Sequence, residues 1–362
     1  VYKRQADYNV ALYRHDPRGE QFPYQGAARA VHVMRLFSAF LGAFTVAAVY
    51  AAARLAFPRP VEAAPLAAAL VAFNPQFAFM GGVVNNDNLI NCLAAVAVAL
   101  TMYGLRHGFT WRRVAVLGLA CGLASIAKLG GLMALALAGL GLLMALWRQP
   151  KRLIAYSLLL GTGFTLVAGW WFARNWMLYG EPTGLSRMIS IYGPRRSSPA
   201  ELFFPELGNA FRSYWATFVC DLTFPEPTYW MFVVMVGGGM WGLVRNWKTG
   251  HVLELRNAWL LLAWLGLVFV AWVCWNWVST STSMGRLFFQ ADAAICALLG
   301  YGLTRLTLWP KWVLVGVGVG LGALALVGAL LIVHPAFALP PRYPPVLAAI
   351  ATFGILGEQA LL

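Results

Sequence analysis

The chain alternates between long apolar runs and short polar connections. Ten apolar runs cover about 33–57, 64–84, 88–105, 114–131, 132–147, 153–173, 229–244, 258–278, 287–304 and 312–333. Stretches such as Leu129–Trp147 and Trp312–Val333 contain no charged residue. A helix needs about 20 apolar residues to cross the hydrocarbon core of a bilayer. Because the runs are continuous rather than alternating, they predict an all-α polytopic integral membrane protein with about ten transmembrane helices.

The polar segments divide the chain into three parts. Residues 1–32 are predicted to be the remnant of a first extracytoplasmic loop. Residues 33–333 form a transmembrane helical domain that carries one long extracytoplasmic loop, 174–228. Residues 334–362 form an extracytoplasmic C-terminal segment. The chain opens on Val1 without a start methionine or signal peptide, so we expect a fragment that lacks an upstream part of its protein.

Composition and charge agree with this membrane prediction. Hydrophobic residues make up 60% of the chain and charged residues 11%, whereas a soluble domain needs far more charge to cover its surface. The net charge of +14 would indicate nucleic-acid binding in a soluble protein, but here the basic residues concentrate in every second loop. Basic loops stay cytoplasmic, so residues 1–32 and the loop 174–228 are predicted to lie outside. The residues that fix this orientation are Arg54, Arg59, Arg106, Arg112, Arg113, Arg148, Lys151, Arg152, Arg245, Lys248, Arg256, Arg305 and Lys311.

Five ionisable residues from separate stretches fall at the predicted outer ends of the spans. Charged groups at membrane depth are costly unless they are paired or hydrated, and they therefore mark functional sites. Three cations and two carboxylates at one depth predict a polar cavity for an anionic group such as a phosphate, which arginine binds with two donors and lysine as a point charge. The five residues are Asp87, Lys128, Arg174, Arg286 and Asp292.

The same residues could instead have purely structural roles. Lys128 and Arg174 are also suited to extend from a helix end to the membrane surface. Asp87 is suited to cap the following helix, and Asp292 to pair with Arg286 or Lys128 for folding alone. The sequence contains no phosphate-binding loop, no serine-hydrolase motif and no zinc-ligand spacing.

With these residues identified, the chain resembles the GT-C superfamily of multi-span glycosyltransferases, in particular bacterial protein mannosyltransferases and aminoarabinose transferases. These enzymes use sugars linked to polyprenyl phosphate. The resemblance runs from residue 29 to about 305 and depends on the order of four stretches. These are Arg35-Leu36-Phe37-Ser38; Asn74-Pro75-Gln76-Phe77 with Asn85-Asn86-Asp87-Asn88; Trp170-Trp171-Phe172-Ala173-Arg174-Asn175 with Tyr179-Gly180-Glu181-Pro182; and Gly285-Arg286-Leu287-Phe288.

The resemblance implies roles for the candidate residues. The family places an acidic general base in its first outer loop, where Asp16 and Glu20 are the candidates in this chain. Asp87 matches an acidic position in the next outer loop. Lys128, Arg174 and Arg286 would contact the lipid phosphate, and Asp292 completes the candidate substrate-binding set. No residue is assigned to a metal and no cofactor is certain, although a divalent cation stays an option.

The function implied by the resemblance is inverting transfer of a hexose or pentose from a polyprenyl-phosphate carrier to a glycan, lipid or protein. Its expected place is the outer face of the bacterial cytoplasmic membrane, with membrane lipids and no nucleic acid as partners. One alternative is a transporter or flippase of an anionic or lipid-linked substrate, which should show inverted repeats and sites near the midplane. Another is an assembly subunit with a degenerate site. The sequence leaves the sugar and the acceptor open.

Overall fold

The computed structural model describes residues 21–195, 198–218, 222–247, 252–278 and 284–336. These ranges are helical apart from their connections and one isolated bridge between Thr217 and Thr223. Short 3₁₀ helices cover Leu129–Gly131, Pro199–Leu202 and Gly285–Ala291, and a π-helical turn covers Gly328–Val333. The α-helices are α1 Gly26–Ala56, α2 Ala63–Ala72, α3 Pro75–Gly81, α4 Asp87–His107, α5 Trp111–Ala127, α6 Leu132–Leu146, α7 Pro150–Tyr179, α8 Leu185–Tyr192, α9 Glu206–Ala216, α10 Glu226–Trp247, α11 Val252–Val278, α12 Asp292–Thr304, α13 Pro310–Val327 and α14 His334–Ala336.

The predicted spans correspond to helices throughout the described residues. Eight helical segments there are long and apolar enough to cross a membrane, and the bent pair of α2 and α3 makes a ninth if it counts as one span. The predicted run 114–131 corresponds to α5, whose 17 residues are slightly fewer than the roughly 20 of a typical span. The prediction of an all-α polytopic membrane protein is therefore confirmed.

The break between α2 and α3 has a local cause in the sequence. Asn74 accepts hydrogen bonds from the backbone N–H groups of Gln76, at 2.9 Å, and Phe77, at 3.1 Å. Pro75 occupies the first helical position, where its missing N–H costs nothing. The chain therefore starts a new helix at Asn74 rather than continuing α2, and the two axes differ by 61°. The Asn74 amide also donates to the backbone carbonyl of Tyr214 at 3.0 Å, which joins this bend to α9.

Arginines tie helices together at the end of the bundle where α1 and α4 terminate. Arg106 donates to the carbonyl of Leu55 at 3.3 Å, and Arg256 donates to the carbonyl of Leu105 at 3.1 Å. The last carbonyls of a helix lack partners within that helix, so these contacts satisfy them while they hold adjacent helices in register. These arginines come from two of the loops that the sequence predicts to be basic.

The described residues of the segment 174–228 are largely helical rather than extended. It contains the end of α7, then α8, a 3₁₀ turn and α9. Arg195 binds both carboxylate oxygens of Glu206, at 3.2 and 2.7 Å, and donates to the carbonyl of Asn276 at 2.6 Å. Arg212 pairs with Glu226 at 2.6 Å. Arg195 therefore attaches this segment to α11, and Arg212 attaches α9 to the start of α10.

Only part of the predicted domain division lies within the described residues. Helix α1 begins at Gly26, ahead of the predicted start at residue 33. Residues 1–20 and 337–362 lie outside the described residues, so most of the two predicted terminal segments does too. The division of the chain at 33 and 333 stays a prediction.

Candidate functional site

Three of the five predicted site residues meet at one end of the bundle. The Asp87 carboxylate lies 2.5 Å from Lys128 Nζ through Oδ1 and 3.8 Å from Arg286 Nε through Oδ2. The Asp87 side chain is 10% exposed, whereas those of Lys128 and Arg286 are 30% and 38% exposed. One carboxylate thus lies between two cations that solvent still reaches. The group carries one excess positive charge near the surface.

Asp87 owes its position to the asparagines around it. The side chain of Asn85 accepts a hydrogen bond from the backbone N–H of Asn88 at 3.1 Å and so satisfies one of the free N–H groups at the start of α4. The Asn88 amide donates to the carbonyls of Met80 and Val83, at 3.0 and 2.8 Å, which fixes the segment before the helix. Asp87 is the first residue of α4, and Asn86 occupies the N-cap position. The alternative that Asp87 caps this helix is therefore wrong, and its two oxygens face cations instead.

The position of Lys128 follows from the sharp turn between α5 and α6. Lys128 ends α5 in an extended conformation, with φ −162° and ψ 145°, and the 3₁₀ turn Leu129–Gly131 then reverses the chain. A Cβ atom on Gly131 would lie 2.1 Å from the carbonyl oxygen of Ala124, so this close return requires glycine. Asn86 donates to the carbonyl of Ala127 at 3.1 Å and thereby holds the end of α5 beside the start of α4.

Arg286 lies on the 3₁₀ helix Gly285–Ala291, called here the 285–291 turn, which leads into α12. The backbone N–H of Gly285 donates to Ser213 Oγ at 2.7 Å. A Cβ atom at Gly285 would lie 2.0 Å from the carbonyl oxygen of Ala210, so the backbone of this turn contacts α9 directly. At the other end of the turn, Trp264 Nε1 donates to the carbonyl of Gln290 at 3.0 Å. Arg286 is thus presented by a turn that is attached on two sides.

The structure does not bring Arg174 or Asp292 into contact with these three residues. Arg174 is exposed near the end of α7, where its guanidinium lies 5.3 Å from the centre of the Trp171 ring and 3.4 Å from Asn175 Oδ1. That arrangement fits the alternative of a membrane-surface anchor. Asp292 is buried at the first position of α12 and accepts a hydrogen bond from the Tyr214 hydroxyl at 2.8 Å. Asp16 and Glu20 lie outside the described residues.

Sequence reasoning missed the residues that support the site. Tyr214 lies in α9, 78 residues before Asp292 in the chain, and no local pattern connects the two. Burial, reinforced by the nearby negative charge of Asp292, raises the pKa of Tyr214 well above its ordinary value. The phenol therefore keeps its proton and donates to the carboxylate. The Asn85–Asn88 run was visible in the sequence, but the contact of Asn86 with Ala127 was not.

The site combines a buried carboxylate with two accessible cations. Lysine and arginine side by side bind phosphate oxygens, and they stabilise negative charge that develops on a leaving group. The carboxylate can orient the cations or accept a proton from a hydroxyl within about 2.6–3.2 Å. In the part of the chain that the structure describes, no group of three or more histidine, cysteine, aspartate or glutamate side chains is assembled for a metal ion.

Fold and site together define a polytopic membrane protein with a cationic site at the helix ends. The family model for dolichyl-phosphate-mannose-protein mannosyltransferases matches residues 19–186, a region that includes Asp87, Lys128 and Arg174. No curated protein matches the chain.

A solved structure has a similar fold. It is ArnT from Cupriavidus metallidurans bound to undecaprenyl phosphate, with 15% sequence identity and a TM-score of 0.52. The likeness covers 90% of this chain and 54% of the ArnT chain, so this chain spans about half the length of that structure. The predicted resemblance is therefore confirmed: residues 19–186 match the mannosyltransferase model, and the chain shares the fold of ArnT.

Proposed function

We propose that this protein is a membrane glycosyltransferase that takes its sugar from a polyprenyl-phosphate carrier and transfers it to a glycan, lipid or protein. The observation that carries the proposal is the placement of Asp87 between Lys128 and Arg286 at one end of the bundle. The mannosyltransferase family match and the fold shared with ArnT support the same reaction class.

The two cations suit the leaving group of this reaction. When the bond between the sugar and its phosphate breaks, negative charge grows on the phosphate oxygens. Lys128 and Arg286 are held in place before the reaction, so they stabilise that charge without reorganising. Arg174 lies at the end of a neighbouring helix, where it would contact a headgroup that extends from the site.

Asp87 has two roles in this proposal. In the absence of donor, its carboxylate pairs with the cations that the phosphate would bind. Once the phosphate binds them, the carboxylate is free to orient the acceptor hydroxyl or accept its proton. Asp16 and Glu20 are the other candidates for the general base. Attack on the face opposite the departing phosphate would invert the anomeric centre.

The charge distribution supports a site on the outer face of the cytoplasmic membrane. Arg106 and Arg256 bind helix carbonyls at the opposite end from Asp87, and basic ends of transmembrane helices face the cytoplasm. The ionisable cluster also lies at the helix ends rather than halfway along them. A transporter should bind its substrate near the midplane, so this position favours an enzyme.

The test measures how fast polyprenyl phosphate is released from each of several polyprenyl-phosphate-linked sugars. The full chain is reconstituted in liposomes with a cell-envelope fraction as acceptor. We expect release from at least one donor, and we expect Lys128→Ala and Arg286→Ala each to lower the rate by about tenfold or more, as for the loss of one charge-stabilising donor.

Lys151→Ala is the matched control, since it removes an exposed lysine at the start of α7, in a loop that the sequence predicts to be cytoplasmic. It should leave the rate unchanged. Release that is equally fast in the Lys128 and Arg286 variants, or absent with every donor, would contradict the proposal.

A further inference from the structure

The 285–291 turn that carries Arg286 is held by α9 at both of its ends. At the first residue, the backbone N–H of Gly285 donates to Ser213 Oγ at 2.7 Å. Just beyond the last residue, the Tyr214 hydroxyl donates to Asp292 Oδ1 at 2.8 Å. Two adjacent residues of α9 therefore attach both ends of one short 3₁₀ helix, and Arg286 lies between these attachments.

The hydrogen bond between Tyr214 and Asp292 involves a carboxylate that is almost completely buried. Asp292 is 2% exposed, and the partners described for its carboxylate do not include a lysine or arginine. A buried carboxylate is costly unless hydrogen bonds and dipoles satisfy it. Here the start of α12 provides a favourable helix dipole, and Tyr214 provides the hydrogen bond. If apolar packing were sufficient to join the two helices, it would do so at a lower cost in free energy than this buried polar pair.

The packing around this hydrogen bond fixes its direction. The Tyr214 ring lies 5.3 Å from the ring of Phe289, which belongs to the 285–291 turn, and 5.0 Å from the ring of Trp215. The backbone carbonyl of Tyr214 accepts a hydrogen bond from Asn74 at 3.0 Å. Contacts on three sides therefore hold Tyr214 in place, so the position of its hydroxyl is fixed relative to the turn.

We propose that Tyr214 and Asp292 are positioning residues, which hold the 285–291 turn against α9 so that Arg286 reaches the donor phosphate. This inference rests on the proposed function. It changes the expected role of Asp292: rather than contacting the substrate, Asp292 acts through the turn that carries the phosphate-binding arginine.

The first test measures the turn itself and is independent of any substrate. Tyr214→Phe keeps the ring but removes the hydroxyl that donates to Asp292. We expect backbone amides of the 285–291 turn to exchange hydrogen for deuterium at least about tenfold faster in this variant, because opening the turn no longer breaks that bond. Unchanged exchange in the turn would overturn the inference, whatever the protein binds.

Tyr301→Phe is the matched control for this experiment. Tyr301 lies on the same helix, α12, and its hydroxyl donates to a buried carboxylate, Glu254 Oε2, at 3.2 Å. This bond lies near the opposite end of the helix from Asp292. The control should leave exchange in the turn unchanged. If exchange in the turn is accelerated equally in both variants, Tyr214 stabilises the fold in general and does not position the turn specifically.

The second test connects the turn to Arg286 through a double-mutant cycle. The probe is undecaprenyl phosphate, with the full chain in detergent micelles. We expect Tyr214→Phe to raise Kd about three- to tenfold, the range that corresponds to one hydrogen bond. In an Arg286→Ala background the same change should have no further effect, since residues that act through one group are not additive. Additive losses would overturn the inference.

A conservative variant separates the hydrogen bond from the charge. Asp292→Asn keeps an oxygen that accepts from Tyr214 and should bind the probe within about twofold of the original chain, whereas Asp292→Ala should behave like Tyr214→Phe. If Arg286→Ala alone leaves Kd unchanged, the phosphate-binding part of the proposed function fails, while the exchange experiment still decides whether Tyr214 positions the turn.

Discussion

Replacing Asp87 by asparagine should separate binding from turnover. The change keeps the size of the side chain but removes the negative charge between Lys128 and Arg286. The site then carries two excess positive charges instead of one, and the donor phosphate no longer competes with a carboxylate. We therefore expect tighter binding of undecaprenyl phosphate together with slower sugar transfer.

The contact distances set the size of the gain in binding. For charges 2.5 and 3.8 Å apart, the Coulomb energy ranges from about 1 kcal/mol in water to several kcal/mol at an effective dielectric constant of about 20. The side chains of Lys128 and Arg286 are 30% and 38% exposed, so solvent screens them and the low end applies. About 1 kcal/mol corresponds to an approximately fivefold lower Kd.

The assay is a titration of the full chain in detergent with undecaprenyl phosphate, followed by transfer measured in liposomes. Glu181→Gln is a suitable control, since Glu181 is an acidic residue after α7 that accepts hydrogen bonds from Ser186. It should leave Kd unchanged. If Asp87→Asn weakens binding of the probe as much as Lys128→Ala does, then Asp87 does not compete with phosphate for the cations, and the reasoning fails.

Two further predictions concern the supports of the site. Gly285→Ala should lower the melting temperature and the yield of folded protein, because its Cβ would lie 2.0 Å from the carbonyl oxygen of Ala210, and overpacking costs about 1–3 kcal/mol or more. Gly316→Ala is the control, since open space surrounds that position, and an equal loss in both variants would refute the packing argument. Asn86→Ala removes the hydrogen bond to the Ala127 carbonyl. It should raise Kd for undecaprenyl phosphate about fivefold, as one hydrogen bond is worth about 1 kcal/mol, with little change in melting temperature; unchanged Kd would show that Lys128 is positioned without Asn86.

The helices and the common location of the candidate site were predictable from the sequence. Uninterrupted apolar runs have few alternatives in a membrane, so the segments that become helices follow from the pattern. Asp87, Lys128 and Arg286 were expected at one level because each lies at the same end of its span. Their actual meeting depends on side chains from three separate stretches, which a hydropathy pattern does not determine.

The contacts of Arg174 and Asp292 were not predictable from the sequence. Arg174 shares the predicted level but lies on a long helix whose exposed tryptophans surround it. Asp292 follows Arg286 by six residues, which is about 12 Å along a 3₁₀ helix at about 2 Å per residue. At that depth its partner comes from α9, which lies within the predicted extracytoplasmic loop 174–228. A tertiary contact between residues 214 and 292 leaves no local signal in a single sequence.

The most direct test of the central claim compares undecaprenyl phosphate with undecaprenol, which has the same chain and no phosphate. We expect the full chain to bind the phosphate lipid at least about tenfold more tightly, equal to about 1.4 kcal/mol. The variant that combines Lys128→Ala with Arg286→Ala should lose this preference and still bind undecaprenol as before. Equal affinity for both lipids in the original chain, or a preference that survives in the double variant, would contradict a phosphate site built from these two residues.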